Sequence, residues 1–485
     1  MLMRFEIFSS SVLMHTLHSS WIRLTHSCQY FQKQHPLLIC SLYWLTGIIS
    51  RPNPYSGIVL LSVLYVFTPK NNLRKQLLMG ACWLIPLITL TNPSSIHEGP
   101  ASGNFIIKFG RENKYFGEVI RLKYPCGKTH YHIPCTIFID APLELNKKYS
   151  IQGTMLNHTS QFIFKSNGCY QEIRSTKIAL IQHKIRESCH QRILNLFRSS
   201  NSGNFASSLL LGTPLPKHLR EIFKNKGLSH LFAVSGWHFS LFASVLFCLL
   251  GIFPAKIKYF LSLIILSILT LVFPWSPSVW RAWLSLLLIC LSPFSSGLCS
   301  SLNRLGAGAI LCSLIFPPLS PAFSLSFLAT LGILLFFPHL FHFFYSPWLY
   351  VCPKRLLPIL RYIFGALSLT ISAQIFLFFP MINFFGSLPL EGFIYNLFFP
   401  MLILPIFFLI LLSLILPFLA PCTEFFISWL LELPMLNNPN FLTTLTPAPL
   451  PAWKLSLVLS LIFLLGVFLG KVKTSENHPS SIIEL

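Results

Sequence analysis

The chain has 485 residues, 53% of them hydrophobic and only 10% charged, with 46 Phe and 36 Lys+Arg against 14 Asp+Glu. A soluble globular protein carries about 25% charged residues, and water could not cover this much apolar surface, so that class is excluded. Disorder is excluded by the same apolar excess, and a single Asp, Asp140, leaves little material for two-metal or carboxylate-dyad chemistry.

What remains is a polytopic α-helical membrane protein carrying a more polar, basic insert. Residues 1–35 mix charges, His and Ser and show no clean apolar segment with a cleavage site, so no secretory signal peptide is expected. A spanning helix needs about 20 mostly apolar residues. Short candidate runs lie at 36–50, 55–68 and 77–91. After a long gap they resume at 228–253, 259–273, 279–297, 305–317, 321–338, 362–381, 392–417, 423–436 and 452–470. The expectation is about twelve crossings, several of them short and broken by Pro.

Basic loops orient the chain. With Arg4, Arg23 and Lys33 in the cytoplasm, the same side receives Lys70, Arg74 and Lys75, then Lys256 and Lys258, and Arg304. It also receives Lys354, Arg355 and Arg361, and the tail residues Lys471 and Lys473, whereas Arg51 is the exception. This divides the chain into a cytoplasmic N-terminus with three short spans (1–91), an outer domain (92–180), basic helices (181–226), a polytopic domain (227–470) and a cytoplasmic tail (471–485).

Residues 92–226 fall outside, with 19 Lys/Arg against 8 Asp/Glu, an excess of +11 that is half the net charge of +22. Long translocated domains are exempt from the orientation rule, so this basicity concerns a partner. Within 104–180 the runs FIIKFG, FGEVIRLKY, CTIFID, KYSIQGTML and QFIFKS alternate and are separated by Gly, Pro and Asn. Five or so strands in a small β-barrel or sandwich are expected. The stretches 178–199 and 215–226 place apolar residues at helical spacing with Lys/Arg opposite, as in basic amphipathic helices lying on a membrane or against the bundle.

The segment LLLGTPLPKHLREIFKNKGLSHLFAVSGWHFS at 209–240 is the most informative. A basic helix runs into a span whose start is interrupted by Gly227, Ser229, His230, Ser235, Gly236 and His238. Such groups are tolerated at membrane depth when buried in protein or lining a wet cavity. The plainer alternative is that Ser and Gly serve close helix packing and the His residues sit at the interface.

This segment closely resembles the GLSHLLAISGLH signature of the ComEC competence-protein family, the inner-membrane channel of bacterial DNA uptake. SPSVWRAWL at 276–284, PAFSLSFLATLGIL at 321–334 and SLTISAQIFLFFPMINFFGSLPLEGFIYNLFFP at 368–400 resemble further family stretches in the same order. The spans followed by an extracytoplasmic β domain are similar to the family plan with its OB-like module. The resemblance implies a bacterial plasma-membrane conduit for single-stranded DNA, served by an external DNA receptor and a cytoplasmic helicase or ATPase, with self-association left open. Longer members append a metallo-β-lactamase-like domain with an HxHxDH metal motif. No such motif is present here, so a nuclease of that kind is expected to be absent or supplied by another protein.

Arg281 is the lone charge of its span, able to face a phosphate bidentately or to snorkel outward. Gln374, Asn383, Glu391 and Asn396 are further polar groups in apolar surroundings, suited to a pore or to interhelical hydrogen bonds, although Glu391 beside a Gly also reads as a loop residue. In the outer domain Lys108, Arg111, Lys114, Arg121, Lys123 and Lys128 interleave with Phe105, Phe109, Tyr115, Phe116, Tyr124 and Tyr131. Backbone charge and stacking of this kind would capture single-stranded DNA, while alternation assigns half of those aromatics to a barrel core.

Cys126, His130, His132 and Cys135 are of zinc-ligand type at a spacing that matches no common site. A disulfide among Cys126, Cys135 and Cys169 is the favoured expectation in an oxidising compartment. No P-loop, nuclease or ATPase motif occurs, and no cofactor is expected. Two other readings stand beside the channel. One is a proton-coupled small-solute transporter, using Glu391, Glu424 and Glu432; the other is a membrane-embedded hydrolase, using His230, Ser235 and His238.

Overall fold

A computed structural model describes residues 25–69, 72–89, 98–111, 114–125, 129–141, 143, 148–158, 161–173, 177–232, 236–270, 272–273, 276–291, 300–433 and 444–472. Helices open the chain: α1 (Pro36–Ser50), α2 (Pro54–Tyr65) and α3 (Leu73–Thr89). Pro at the first turn of α1 and α2 occupies a position whose N–H has no helical partner. The Asn53 side chain accepts the Ser56 N–H at 3.4 Å and so caps α2.

Five strands follow: β1 (Gly99–Arg111), β2 (Lys114–Lys123), β3 (Thr129–Phe138), β4 (Lys148–His158) and β5 (Gln161–Ile173). They close into a barrel in the order β1-β2-β3-β5-β4, with β4 returning to β1 and every pair antiparallel except β3 with β5. Alternation, reset on β2 by a register shift that leaves Ile120 unpaired with β1, carries Phe105, Ile107, Val119, Leu122, Ile137, Ile151, Met155 and Phe164 inward, and Phe105 packs its ring on Phe164 at 4.6 Å. The Tyr115 hydroxyl donates to the Ala141 carbonyl at 3.1 Å and accepts the Leu143 N–H at 3.0 Å, tying the chain after β3 to the core.

The remaining helices are α4 (Lys177–Leu196), α5 (Ser200–Leu211), α6 (Lys217–Asn225), α7 (Gly236–Leu249), α8 (Ala255–Leu269), α9 (Pro277–Leu291) and α10 (Ser301–Ser313). They continue through α11 (Pro321–Tyr345), α12 (Trp348–Val351), α13 (Leu357–Phe385), α14 (Glu391–Ile415), α15 (Ala420–Leu431) and α16 (Ala452–Val472). Among the described residues, four of the twelve expected runs form helices long and apolar enough to cross a bilayer: 321–351, 357–385, 391–415 and 452–470. Six others are apolar helices of 10–17 residues, and the runs at 77–91 and 305–317 fall in neither group. A 15-residue helix rises only about 22 Å, short of the roughly 30 Å hydrocarbon layer.

The long helices expose apolar stripes. On α16, Leu457, Leu461, Leu465 and Phe468 are 38–56% exposed while Phe463 and Val467 face the core. Stripes of this kind need a nonaqueous neighbour, and the chain is a membrane protein. Three apolar cores hold the bundle. One joins α4, α5, α6, α14 and α15; a second joins α1–α3, α9–α11, α13 and α16; a third joins α7, α8 and α9. Helix α9 therefore contributes to the second and third.

Helix α4 is amphipathic, yet part of its inward face is polar. Gln182, Arg186 and His190, spaced by one helical turn, meet the Phe273 carbonyl, the Leu211 and Gly212 carbonyls at the end of α5, and the Ser207 hydroxyl. Ile181 and Ile185 turn outward. The His190 Nδ1 lies 2.6 Å from Ser207 Oγ, which also accepts from Thr213. Burial lowers the His190 pKa, opposed by Glu187 and assisted by Arg186. A depressed folded pKa means that the unfolded chain takes up the proton first as pH falls. The stabilisation is thus complete above the ordinary His value near about 6.5 and is lost below it. Melting of the full-length protein between pH 7.5 and 5 is expected to show this loss, and His190→Gln to flatten it; an unchanged profile in the variant would assign the dependence elsewhere.

Candidate functional site

The segment expected to interrupt a span is built on a defined helix stop. Helix α6 ends with the Leu228 N–H bonded to the Phe223 carbonyl at 2.8 Å and the Gly227 N–H bonded to the Lys224 carbonyl at 3.0 Å. Gly227 has φ +70°, the left-handed conformation that this double closure requires and that glycine adopts without a Cβ penalty. A short 3-10 turn, Ser229–Leu231, carries His230, and α7 starts at Gly236. The expected span at 228–253 is therefore not continuous from its beginning. Ser235 lies outside the described residues.

The stop places two adjacent residues against the start of α14. Lys226 Nζ pairs with Glu391 Oε2 at 2.9 Å, the side chains only 3% and 1% exposed, and the ammonium lies 5.6 Å from the centre of the Tyr395 ring. One residue on, a Cβ at Gly227 would come within 2.9 Å of Gly392 Cα. Each charge also sits where a helix favours it: Lys226 at the carbonyl end of α6 and Glu391 at the N–H end of α14. Glu391 is thus not a loop residue but the first residue of a helix. Lys226 escaped sequence reasoning because it closes a run of Lys and Arg that reads as a solvated face.

Further along, His238 is buried at 1% exposure with its ring 6.3 Å from that of Phe407 on α14. Gly227 and His238 therefore each pack against α14, the first at Gly392 and the second at Phe407. Gly236 faces α9, where a Cβ would meet Arg281 Nη2 at 2.7 Å. Arg281 donates through Nε to Ser326 Oγ on α11 at 3.0 Å, and its guanidinium lies over the Phe327 ring at 6.0 Å. The structure brings Gly227 together with Lys226 and Glu391 at the start of α14, and Gly236 together with Arg281 on α9, while His238 packs on Phe407.

Other expected residues are placed apart or in structural roles. Gln374 on α13 and Asn396 on α14 each bury a side-chain oxygen that has no hydrogen-bond partner among the described residues. Asn383 is a clamp: its amide donates to the Leu450 carbonyl at 2.8 Å and accepts the Leu450 N–H at 2.9 Å. Glu424 accepts the N–H groups of Arg198 and Ser199, at 3.2 and 2.5 Å, capping the entry to α5. Glu432 is exposed at the end of α15.

On the barrel, Phe105, Tyr115 and Tyr124 are core, and Arg121 and Lys123 are exposed on β2. Lys108 and Arg111 take positions on β1 and Lys114 begins β2, whereas Lys128 and Cys126 lie outside the described residues. His130 and His132 are on β3; Cys135 is buried there, and Cys169 on β5 is an exposed thiol outside any disulfide.

No curated protein and no solved structure shows significant similarity to the chain. The profile of the family described as Competence protein matches residues 209–474, beginning in α5 and running through the helix stop, Arg281 and all four long helices, and the chain belongs to that family.

Proposed function

We propose that this protein is the plasma-membrane channel through which one strand of DNA enters a bacterial cell during natural transformation. The observation that carries the reading is the helix stop and 3-10 turn at 226–232, set inside a helical bundle in the part of the chain matched by the family. Non-helical backbone and buried polar groups at such a place are favoured where they line a path. The twelve-crossing plan, with a cytoplasmic N-terminus and 92–226 outside, belongs to this reading, the shorter helices completing the walls around the four long ones. The barrel's strand order with a parallel β3–β5 pair supports an OB-like module. Exposed Arg121 and Lys123 would hold the strand's backbone.

The engagement of Glu391 with Lys226 and of Glu424 with the α5 entry supports a conduit over a proton-relay transporter. No nuclease, ATPase or cofactor role is assigned, and the driving force would come from cytoplasmic partners. Deleting the gene should stop labelled DNA from reaching the cytoplasm while leaving surface binding; normal internalisation in the deletion strain overturns the channel.

A narrower expectation concerns salt. The full-length protein in neutral lipid should bind an oligothymidylate with an affinity that falls as salt rises. Arg121→Gln with Lys123→Gln should lower the logarithmic salt slope by about 1.4, at roughly 0.7 for each phosphate no longer neutralised. An unaltered slope would remove these two residues from the strand's path.

A further inference from the structure

Helices α11 and α13 are joined by a connection whose charge the bundle leaves unmatched. At 25 and 29 residues the two helices rise about 37 and about 43 Å, more than the roughly 30 Å hydrocarbon layer. They pack against each other closely enough that a Cβ at Gly332 would run into the Ser372 carbonyl. Two crossings of that length bring residues 346–356 out together at one bilayer surface.

Stacked rings hold this connection in place. Phe364 on α13 stacks with Phe344 on α11, the centroids 6.4 Å apart and the planes at 9°, and with Trp348 on α12 at 5.9 Å and 23°. The Tyr362 hydroxyl donates to the Leu397 carbonyl on α14 at 3.3 Å. Leu349, Tyr350 and Val351 turn outward from the stack, Tyr350 at 92% exposure.

Lys354, Arg355 and Arg361 are exposed beside them. No Asp or Glu occurs from 222 to 390, and none of the three cations pairs with a carboxylate among the described residues. Three unmatched cations thus adjoin an apolar and aromatic edge at a fixed depth. The cations alone would suit any polyanion, but the edge selects a partner with an anionic head and an apolar body. A nucleic acid would neutralise the charges and leave Tyr350 and Val351 in water.

We propose that the connection between α11 and α13 is a binding site for the headgroup of an anionic glycerophospholipid. Lys354, Arg355 and Arg361 meet the phosphate, and residues 349–351 enter the boundary between headgroups and acyl chains. The site is independent of the channel reading, since it requires only that α11 and α13 cross.

The test uses full-length protein in phosphatidylcholine vesicles carrying a small share of brominated lipid, either phosphatidylglycerol or phosphatidylcholine, whose bromines quench nearby tryptophan. The chain has ten Trp, so the Trp348 signal is the difference between each protein and its Trp348→Phe counterpart, which keeps a ring in the stack. Trp348 should be quenched at a lower share of brominated phosphatidylglycerol than of brominated phosphatidylcholine, and the preference should shrink as salt rises. Lys354→Gln with Arg355→Gln and Arg361→Gln should lower the relative affinity for phosphatidylglycerol by about tenfold or more. Arg121→Gln with Lys123→Gln removes charge from the barrel instead and should leave the preference unchanged.

Equal quenching by the two lipids, a preference that survives the triple variant, or the same loss in the barrel variant overturns the site. Excess oligothymidylate should leave the quenching in place. Relief of quenching by the oligonucleotide assigns the cations to nucleic acid and overturns the lipid.

Discussion

Glu391→Ala is expected to destabilise the full-length protein by about 3–5 kcal/mol, the range for breaking a buried ion pair on one side. Lys226 would remain as an uncompensated ammonium, 3% exposed, facing the emptied start of α14. Lys226→Met should also destabilise, by taking the ammonium from a carboxylate that is only 1% exposed. The double variant Lys226→Met/Glu391→Met should recover most of the loss, because a well-packed apolar pair of like volume is often as stable as the ion pair it replaces. Unfolding of the detergent-solubilised protein followed by tryptophan fluorescence would measure all three. Single variants within about 0.5 kcal/mol of the parent would show that the pair is solvated rather than sealed.

The second large effect is expected where α11 crosses α13. A Cβ at Gly332 would run into the Ser372 carbonyl oxygen and lie 3.2 Å from Phe376 Cδ2. The nearer obstacle is backbone, so no rotamer change relieves it and the two helices must part. Gly332→Val should therefore cost at least the upper end of the roughly 1–3 kcal/mol typical of overpacking, and lower the yield of folded protein. Close backbone approach through small residues is how helices associate without a hydrophobic drive in lipid. Gly80→Ala on α3 is the control, since a Cβ there meets nothing within 4 Å. It should be neutral or stabilise by up to about 1 kcal/mol through helix propensity. Equal behaviour of the two variants would contradict the crossing.

Parts of the fold were legible because they are local. Alternation identified the strands of the barrel and assigned half of their aromatics to its core, since side chains on a strand change face at every residue; the structure shows that Phe105 and Tyr115 are among them. The return of β4 to β1 was not legible, because it pairs segments about fifty residues apart and no local pattern encodes the partner. Helix α5 escaped notice altogether. Its Ser-rich sequence SNSGNFASSLLL carries no apolar periodicity, yet Ser202, Ser207 and Ser208 are buried with it. The available signal was Gly212, which ends the helix at φ +64°. Counting apolar runs also treats a half-length helix packed in a bundle and a true crossing alike, so twelve runs yielded four long helices and six short ones.

At the site, the residue types were readable and their relations were not. Gly227 was recognisable as a break, and the physical reason, a left-handed helix stop, is encoded within five residues. Lys226 and Glu391 are 165 positions apart; Lys226 alone reads as part of a solvated basic face, and Glu391 alone as a pore-lining, interhelical or loop residue. Arg281 was visible as an oddity, but whether it had a partner depended on α7 and α11.

By itself the sequence determined that the greasy, basic, acid-poor chain is a membrane protein, where its barrel strands lie and where α6 must stop, because burial preference and backbone conformation are properties of short segments. Only the tertiary structure decided which of its few charges are matched. Lys226 found Glu391 and Arg281 found no acid among the described residues. Pairing energies in a low-dielectric interior depend on distances that chain order does not contain.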